Sequence, residues 1–283
     1  MTEVVDRGSA LARGWADGRK RCVVMTMGAL HDGHVALMQA ARDRVGGRGS
    51  VVVTIFVNPT QFGPTEDFSR YPRTVEADIE RCREAGVDTV FAPTVAEVYG
   101  SANGFTEQSI TVDGGVLGTI LEGAHRPDHF RGMLTVVSKL MSMTQPDIAI
   151  FGEKDYQQLV LIRRMVADLS LPVEVIGVPT VRDADGLAMS SRNRYLSAEQ
   201  RSTALAIPAA LAAAAQAGVN GAMAAEKAGR DVLAAANGLD VDYLAVTDPN
   251  LSSAPYRGEG RVLVAARVGS TRLIDNVPCR LGE

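Results

Sequence analysis

The apolar positions of this chain switch between two rhythms. Residues 22–25, 51–57, 89–93, 147–151 and 173–178 are short, nearly continuous apolar runs, several of them β-branched. Such runs suit strands of a parallel sheet covered on both faces. Between them, helical spacing recurs: Val35, Leu37, Met38 and Ala41; residues 75–85, closed by Gly86; residues 133–143; and Leu159, Ile162, Met165, Val166 and Leu169. Strand and helix alternate, so βαβ units and a mostly parallel sheet are expected. Residues 98–117 are Gly-rich and aperiodic, predicting loops with one possible strand at 109–112. From Ser197 the rhythm changes. Ser197 to Gln200 matches a capping box, Ala-rich helices are predicted at 198–215 and 223–236, and strand-like runs follow at 241–247, 261–268 and 271–276. The last two runs flank Gly269-Ser270 at hairpin spacing. A parallel α/β domain followed by a small α+β domain acting as a lid is the expected organisation. The sequence contains no internal repeat.

Composition narrows the function. The 283 residues are 46% hydrophobic and 22% charged, as in ordinary globular proteins. A net charge of −4 gives no support for nucleic-acid or membrane-surface binding. No apolar run reaches about 18 uninterrupted residues, so no membrane span is expected. Glu3 and Asp6 stand where a secretory signal would be apolar. Cys22, Cys82 and Cys279 are far apart, which fits a reducing cytoplasm and predicts neither a disulfide framework nor a metal site.

The polar chemistry gathers where strands end, the usual ligand position in open α/β sheets. Met27-Gly28-Ala29-Leu30-His31-Asp32-Gly33-His34 joins the first predicted strand to a helix. Its glycines allow a tight turn, Asp32 is a candidate cap, and the helix N-terminus favours anions. One histidine there is more often a cap than a ligand. Two, three residues apart, are candidate phosphate donors. Asn58 and Gln61 follow the second strand and suit a hydroxyl or carboxylate, although Asn-Pro also simply makes turns. The polar stretch from Glu122 to Gly132, with His125, Arg126 and Arg131, either faces a charged ligand or is a solvated loop. Gly152-Glu153-Lys154-Asp155 and Gln158 follow the fourth strand, and Lys154 is a point charge suited to phosphate. Ser190, Ser191, Arg192 and Arg194 lie near the domain border, in a loop that would bind anions or merely link domains. A GxxxxGK[ST] loop is absent, and no nucleophile has a matching base. The chemistry that fits is electrostatic: hold a triphosphate, stabilise charge at the α-phosphate and pyrophosphate, and position an attacking oxygen.

The turn at 27–34 resembles the HxGH signature of the nucleotidyltransferase superfamily that includes class I aminoacyl-tRNA synthetases, and Met189-Ser190-Ser191-Arg192 resembles its KMSKS loop. More narrowly, residues 26–34, 55–62, 122–132, 151–158 and 189–196 resemble, in order, blocks of the pantoate–β-alanine ligase family. Residues 261–267 and 271–276 are similar to its closing strands. The resemblance implies a Rossmann-like nucleotide- and pantoate-binding domain at 1–180 and an α+β lid at 181–283. It implies that ATP and pantoate give pantoyl adenylate and pyrophosphate, and that β-alanine then displaces AMP. Carried over by motif, His34 is the catalytic histidine, with His31 and Lys154 beside it at the phosphates. Met27, Gly28, Ala29, Leu30, Asp32, Gly33, Gly152, Glu153, Asp155, Val181, Met189, Ser190, Ser191 and Arg192 complete the ATP site. Gln61, Gln158 and Asn58 take pantoate and β-alanine. Mg²⁺ is implied with the nucleotide, and a homodimer as the assembly. Two positions depart from the family. Met25 replaces a usual Pro. Asp128 replaces a usual Gly, at a cost of about 1 kcal/mol if φ is positive there. Two other readings stay open: another nucleotidyl-transfer enzyme such as a cytidylyltransferase, and a nucleotide-binding module without turnover.

Overall fold

The computed structural model describes residues 2–11, 18–64, 68–100 and 108–282. The chain forms two compact units, Met1–Gly152 with Leu161–Val178, and Glu153–Val160 with Pro179–Glu283.

In chain order the first elements are β1 (Glu3–Val5), β2 (Arg21–Thr26), α1 (Asp32–Val45), β3 (Ser50–Ile55), α2 (Val75–Glu84), β4 (Thr89–Phe91), α3 (Val95–Tyr99), α4 (Glu122–His125), α5 (His129–Thr144), β5 (Ile148–Gly152), α6 (Tyr156–Asp168) and β6 (Glu174–Val178). The strands form one Rossmann-like parallel sheet in the order β1-β4-β3-β2-β5-β6. The chain winds outward from β2 through β3 to β4, then returns to place β5 on β2's other side. The sheet therefore changes direction between β2 and β5, and ligands bind at such a point beyond the strands' C-terminal ends. The strand side chains are buried as the continuous apolar runs require: Cys22, Val24, Val51, Val53, Ile148 and Ile150 share a core with Met38 and Ala41 of α1. Burial pushes the Cys22 and Cys82 thiols up to about 12, so both are inert apolar fillers at neutral pH.

Three expectations are corrected. Residues 109–112 form no strand; the Val112 amide donates to Thr135 Oγ1 at 3.0 Å instead of to a neighbouring strand. The predicted loop around them includes residues 101–107, which lie outside the described residues. The helix predicted from 133 begins at His129, because its first turn is polar by sequence while Phe130 and Met133 are buried. The cap of α1 is His31, and Asp32 is instead the first helical residue, paired with Arg81 at 2.9 Å.

The second unit holds α7 (Ala198–Ala204), α8 (Ala206–Ala217), α9 (Ala222–Ala234) and an antiparallel sheet of β7 (Leu239–Thr247), β8 (Gly258–Val268) and β9 (Thr271–Leu281). The single Ala-rich helix predicted at 198–215 is broken at Leu205. Pro208 cannot donate to the carbonyl four residues back and crowds it. Alanine here does more than favour helix. Ala210, Ala214 and Ala225 are fully buried, and a Cβ on Gly229 would sit 2.6 Å from Leu244. Small residues let the helices close on the sheet. The run Ala198–Asn220 is apolar enough to cross a bilayer by length and composition, but Ile207, Leu211 and Ala214 on it are buried in this unit's own core. At the hairpin, Gly269 takes φ 57° between Val268 and Thr271, which pair across the turn.

Candidate active site

The turn after β2 is an unusual piece of backbone. Gly28 has φ 79° and Ala29 φ 51°, two consecutive residues in the left-handed region. A buried carboxylate holds them there. Asp78 of α2, 2% exposed, accepts the Ala29 amide at 2.9 Å, the Leu30 amide at 2.8 Å and the Thr74 hydroxyl at 3.2 Å. Charge-assisted bonds of this kind offset the cost of burying the charge. Asp78 was not among the candidates read from the sequence. Its one signal was position, four residues before buried Cys82 on the helix's inner stripe.

The same turn fixes the histidines. The His31 amide donates to His34 Nδ1 at 3.2 Å, the His34 amide donates to the His31 carbonyl at 2.8 Å, and the ring centroids are 4.1 Å apart. Nδ1 of His34 is therefore an acceptor. In the neutral ring the hydrogen therefore sits on Nε2, the donor nitrogen.

Asn58 and Gln61 follow β3 on one turn of 3-10 helix, Pro59–Gln61. Asn58 is 1% exposed, and its side chain is engaged by the protein. Its Oδ1 accepts Tyr99 Oη at 2.6 Å and Thr60 Oγ1 at 3.0 Å. Its Nδ2 donates to Gln61 Oε1 at 3.1 Å and to the Gly132 carbonyl at 3.2 Å. Burial raises the Tyr99 phenol above its ordinary range, with a smaller opposing pull from the Thr60 hydroxyl, so Tyr99 stays a neutral donor. Gln61 Nε2 donates to Met27 Sδ at 3.1 Å. A thioether is a weak acceptor, so a ligand oxygen can take its place at little cost.

Of the polar stretch from Glu122 to Gly132, the His129 side chain meets Gln61, and Arg126 meets His129. His129 Nδ1 lies 2.9 Å from the Gln61 carbonyl, and His129 Nε2 lies 3.0 Å from Arg126 Nη1. Asp128 adopts φ 64°, the left-handed region, and pairs with Arg131 at 3.1 Å.

In the second unit, Glu153–Asp155 is a 3-10 turn. Lys154 Nζ is 3.6 Å from Asp155 Oδ1. Two residues of the sheet tie the turn down, and neither was anticipated. Asn276 Nδ2 donates to the carbonyls of Glu153 and Lys154, both at 2.9 Å. Arg261 donates to Glu153 Oε2 at 2.9 Å and to Asn276 Oδ1 at 2.7 Å, and stacks 3.8 Å from the Tyr156 ring centroid. Gln157 is buried, while Gln158 and Val181 are half-buried. The Met189 amide donates to the Val181 carbonyl at 2.9 Å. Ser190 caps the turn Ser191–Tyr195, its Oγ accepting the Arg192 amide at 3.3 Å. Arg182 beside Val181 is held by a bidentate pair with Asp275, at 2.7 and 3.1 Å.

Comparison with known proteins points to one family. The family model for pantoate-beta-alanine ligase matches residues 2–278. A pantothenate synthetase of Nocardioides sp. is 55% identical over 279 residues, covering 96% of this chain and 82% of the relative. That of Salinispora arenicola is 53% identical over 291 residues, covering 99% of both. Among solved structures, pantothenate synthetase from Thermus thermophilus superposes with a TM-score of 0.87 at 47% identity, covering 97% of this chain and 98% of that one. Pantoate-beta-alanine ligase from Francisella tularensis, complexed with beta-gamma ATP and beta-alanine, gives a TM-score of 0.76 at 32% identity, covering 98% and 97%.

Proposed function

The chain belongs to the pantoate–β-alanine ligase family, and on that premise we propose that it joins pantoate to β-alanine through a pantoyl adenylate. In the first step a pantoate carboxylate oxygen attacks the α-phosphorus of ATP, and pyrophosphate leaves. In the second the β-alanine amine attacks the acyl carbon, AMP leaves, and the amine loses its proton. ATP and β-alanine, both named in the Francisella complex, support the substrates.

The observation that carries the reading is the Gln61 amide donating to the Met27 thioether. It presents a replaceable donor for a small polar acid beside the 27–34 turn. Asn58 contributes by fixing Gln61, and Gln158 completes pantoate binding. His34 donates its Nε2–H to charge on the phosphates, with His31, the backbone of the 27–34 turn and the N-terminus of α1 in support. Gly152, Glu153, Lys154, Asp155, Val181, Met189, Ser190, Ser191 and Arg192 are proposed as the remaining nucleotide contacts. The nucleotide enters as its Mg²⁺ complex. Among the described residues no group of three or more His, Cys, Asp or Glu side chains could hold an ion alone. Mg²⁺ is ordinarily held by phosphates and one or two carboxylates, and Asp155, half-exposed beside Lys154, is the carboxylate proposed here. A cytoplasmic homodimer, acting on small molecules and not on nucleic acid or membrane, is part of the same proposal.

The test is pyrophosphate release from ATP with a panel of hydroxy acids, followed by β-alanine. Release is expected with pantoate, with AMP appearing when β-alanine is added. Release indifferent to the acid would overturn the pantoate assignment. ATP binding with no AMP formed would indicate a module without turnover.

A further inference from the structure

The polar stretch before α5 holds a histidine whose protonation state is dictated from both sides. His129 is buried at the first turn of α5. Its Nδ1 faces the Gln61 carbonyl at 2.9 Å. A carbonyl only accepts, so Nδ1 carries a hydrogen. Its Nε2 faces Arg126 Nη1 at 3.0 Å. A guanidinium only donates, so Nε2 is bare. One form of the ring satisfies both contacts, the neutral Nδ1–H tautomer. The other neutral tautomer would oppose lone pair to lone pair at Gln61 and hydrogen to hydrogen at Arg126. The imidazolium would set a second cation against the guanidinium.

Around this contact the first turn of α5 and the turn Pro59–Gln61 are joined closely. A Cβ on Gly132 would lie 2.2 Å from the Thr60 carbonyl, so only glycine permits the approach. The Gly132 carbonyl in turn accepts Asn58 Nδ2 at 3.2 Å. The backbone on both sides of Gln61 is thus fixed by α5, and the Gln61 side chain is aimed by Asn58 and Met27.

We propose that His129, held as its Nδ1–H tautomer by Arg126, is a positioning residue that fixes the backbone at Gln61 for recognition of the hydroxy-acid substrate. This rests on the reading of Gln61 as a substrate contact. Arg126 sets the tautomer, His129 sets the Gln61 carbonyl, and neither has to touch substrate.

Two substitutions separate the ring's two nitrogens. His129→Asn keeps an N–H donor near the Nδ1 position. His129→Gln moves the amide toward the Nε2 position and leaves the Gln61 carbonyl unanswered. In steady-state kinetics of the full-length enzyme, His129→Gln is expected to raise the pantoate KM about tenfold, the scale of one lost hydrogen bond. The KM for ATP should stay put, since uniform binding of one substrate is what is lost. His129→Asn should recover most of the effect. A merely structural role would move both variants together and would not single out pantoate. Gln61→Ala runs alongside. If it raises the pantoate KM while His129→Gln does not, the substrate reading stands and the positioning role falls. If Gln61→Ala leaves that KM unchanged, the substrate reading falls and takes the positioning role with it. Should His129→Gln fail to fold, ¹⁵N NMR of the wild-type histidines decides. A protonated Nδ1 and a lone-pair Nε2 at His129 are expected, and the reverse tautomer would overturn the assignment.

Discussion

Two polar turns follow neighbouring strands of the parallel sheet, one after β2 and one after β5, and they are anchored with opposite polarity. The turn at 27–34 is held by an acceptor: Asp78 takes the amides of Ala29 and Leu30. The Glu153–Asp155 turn is held by a donor: Asn276 takes the carbonyls of Glu153 and Lys154, braced by Arg261. The difference decides what each turn can show a ligand. In the first, the early amides are occupied, so under the proposed reading donors to an anion are the start of α1 and the imidazoles. In the second, the carbonyl oxygens that would repel a phosphate are occupied, and the turn's cation is the Lys154 ammonium, 3.6 Å from Asp155 Oδ1. Neither anchor is itself a candidate ligand. Both are charged or amide side chains whose business is with backbone.

If the comparison is right, removing what a turn presents differs from removing what anchors it. The largest effect is expected from presentation. His34→Ala removes a donor without touching Asp78, so the fold should stand while turnover falls about 10²- to 10³-fold, the scale of one lost transition-state donor. Pyrophosphate release measured alongside circular dichroism checks this. A rate within about threefold of wild type would contradict the role given to His34.

The anchors should then differ from each other. Asp78→Asn keeps shape but turns one acceptor into a donor facing a buried amide. It is expected to destabilise the protein by about 1 to 3 kcal/mol, read as a lower unfolding midpoint in urea. Asn276→Ala frees two carbonyls in a turn that is only partly buried. Water can answer them, and Arg261, which loses its Asn276 acceptor, keeps Glu153 Oε2, so the stability loss should be smaller, and the KM for ATP should rise about tenfold as Lys154 loses its fixed base. Matching profiles from the two variants would erase the distinction between the turns.

Much of this was legible in the chain alone. The central strands announced themselves as continuous apolar runs, because both their faces are covered. The clusters at strand ends followed from the sheet's topology. What escaped was of two kinds. Elements with polar beginnings escaped: β1 is three residues long with Glu3 at its head, and the first turn of α5 carries His129 and Arg131. The anchors escaped as well. Asp78 holds Leu30 48 residues away, Asn276 holds Glu153 123 away and Arg261 reaches Glu153 108 away, and only a place on the inner stripe of α2 sets Asp78 apart from an acid that faces water. His129 was visible as part of a polar stretch, but its contact with Gln61 spans 68 residues.

Position 128 sharpens the comparison at its weakest end. Ala29 at 51° and Asp128 at 64° are both non-glycine residues at positive φ. The strain at Ala29 is compensated by a buried carboxylate. At Asp128 the visible compensation is an ion pair with Arg131 in which both side chains are largely exposed. Exposed pairs contribute about 0.2 to 1 kcal/mol, while relief of a left-handed residue is about 1 kcal/mol, offset in part by glycine's greater freedom when unfolded. Asp128→Gly should therefore raise stability slightly, by about 0.5 kcal/mol, with the kinetic constants unchanged. Thermal unfolding of the two proteins at equal concentration measures it. A clear loss of stability would mean that the Asp128 carboxylate supports the start of α5 as Asp78 supports the turn after β2, and the line drawn between compensated and tolerated strain would have to move.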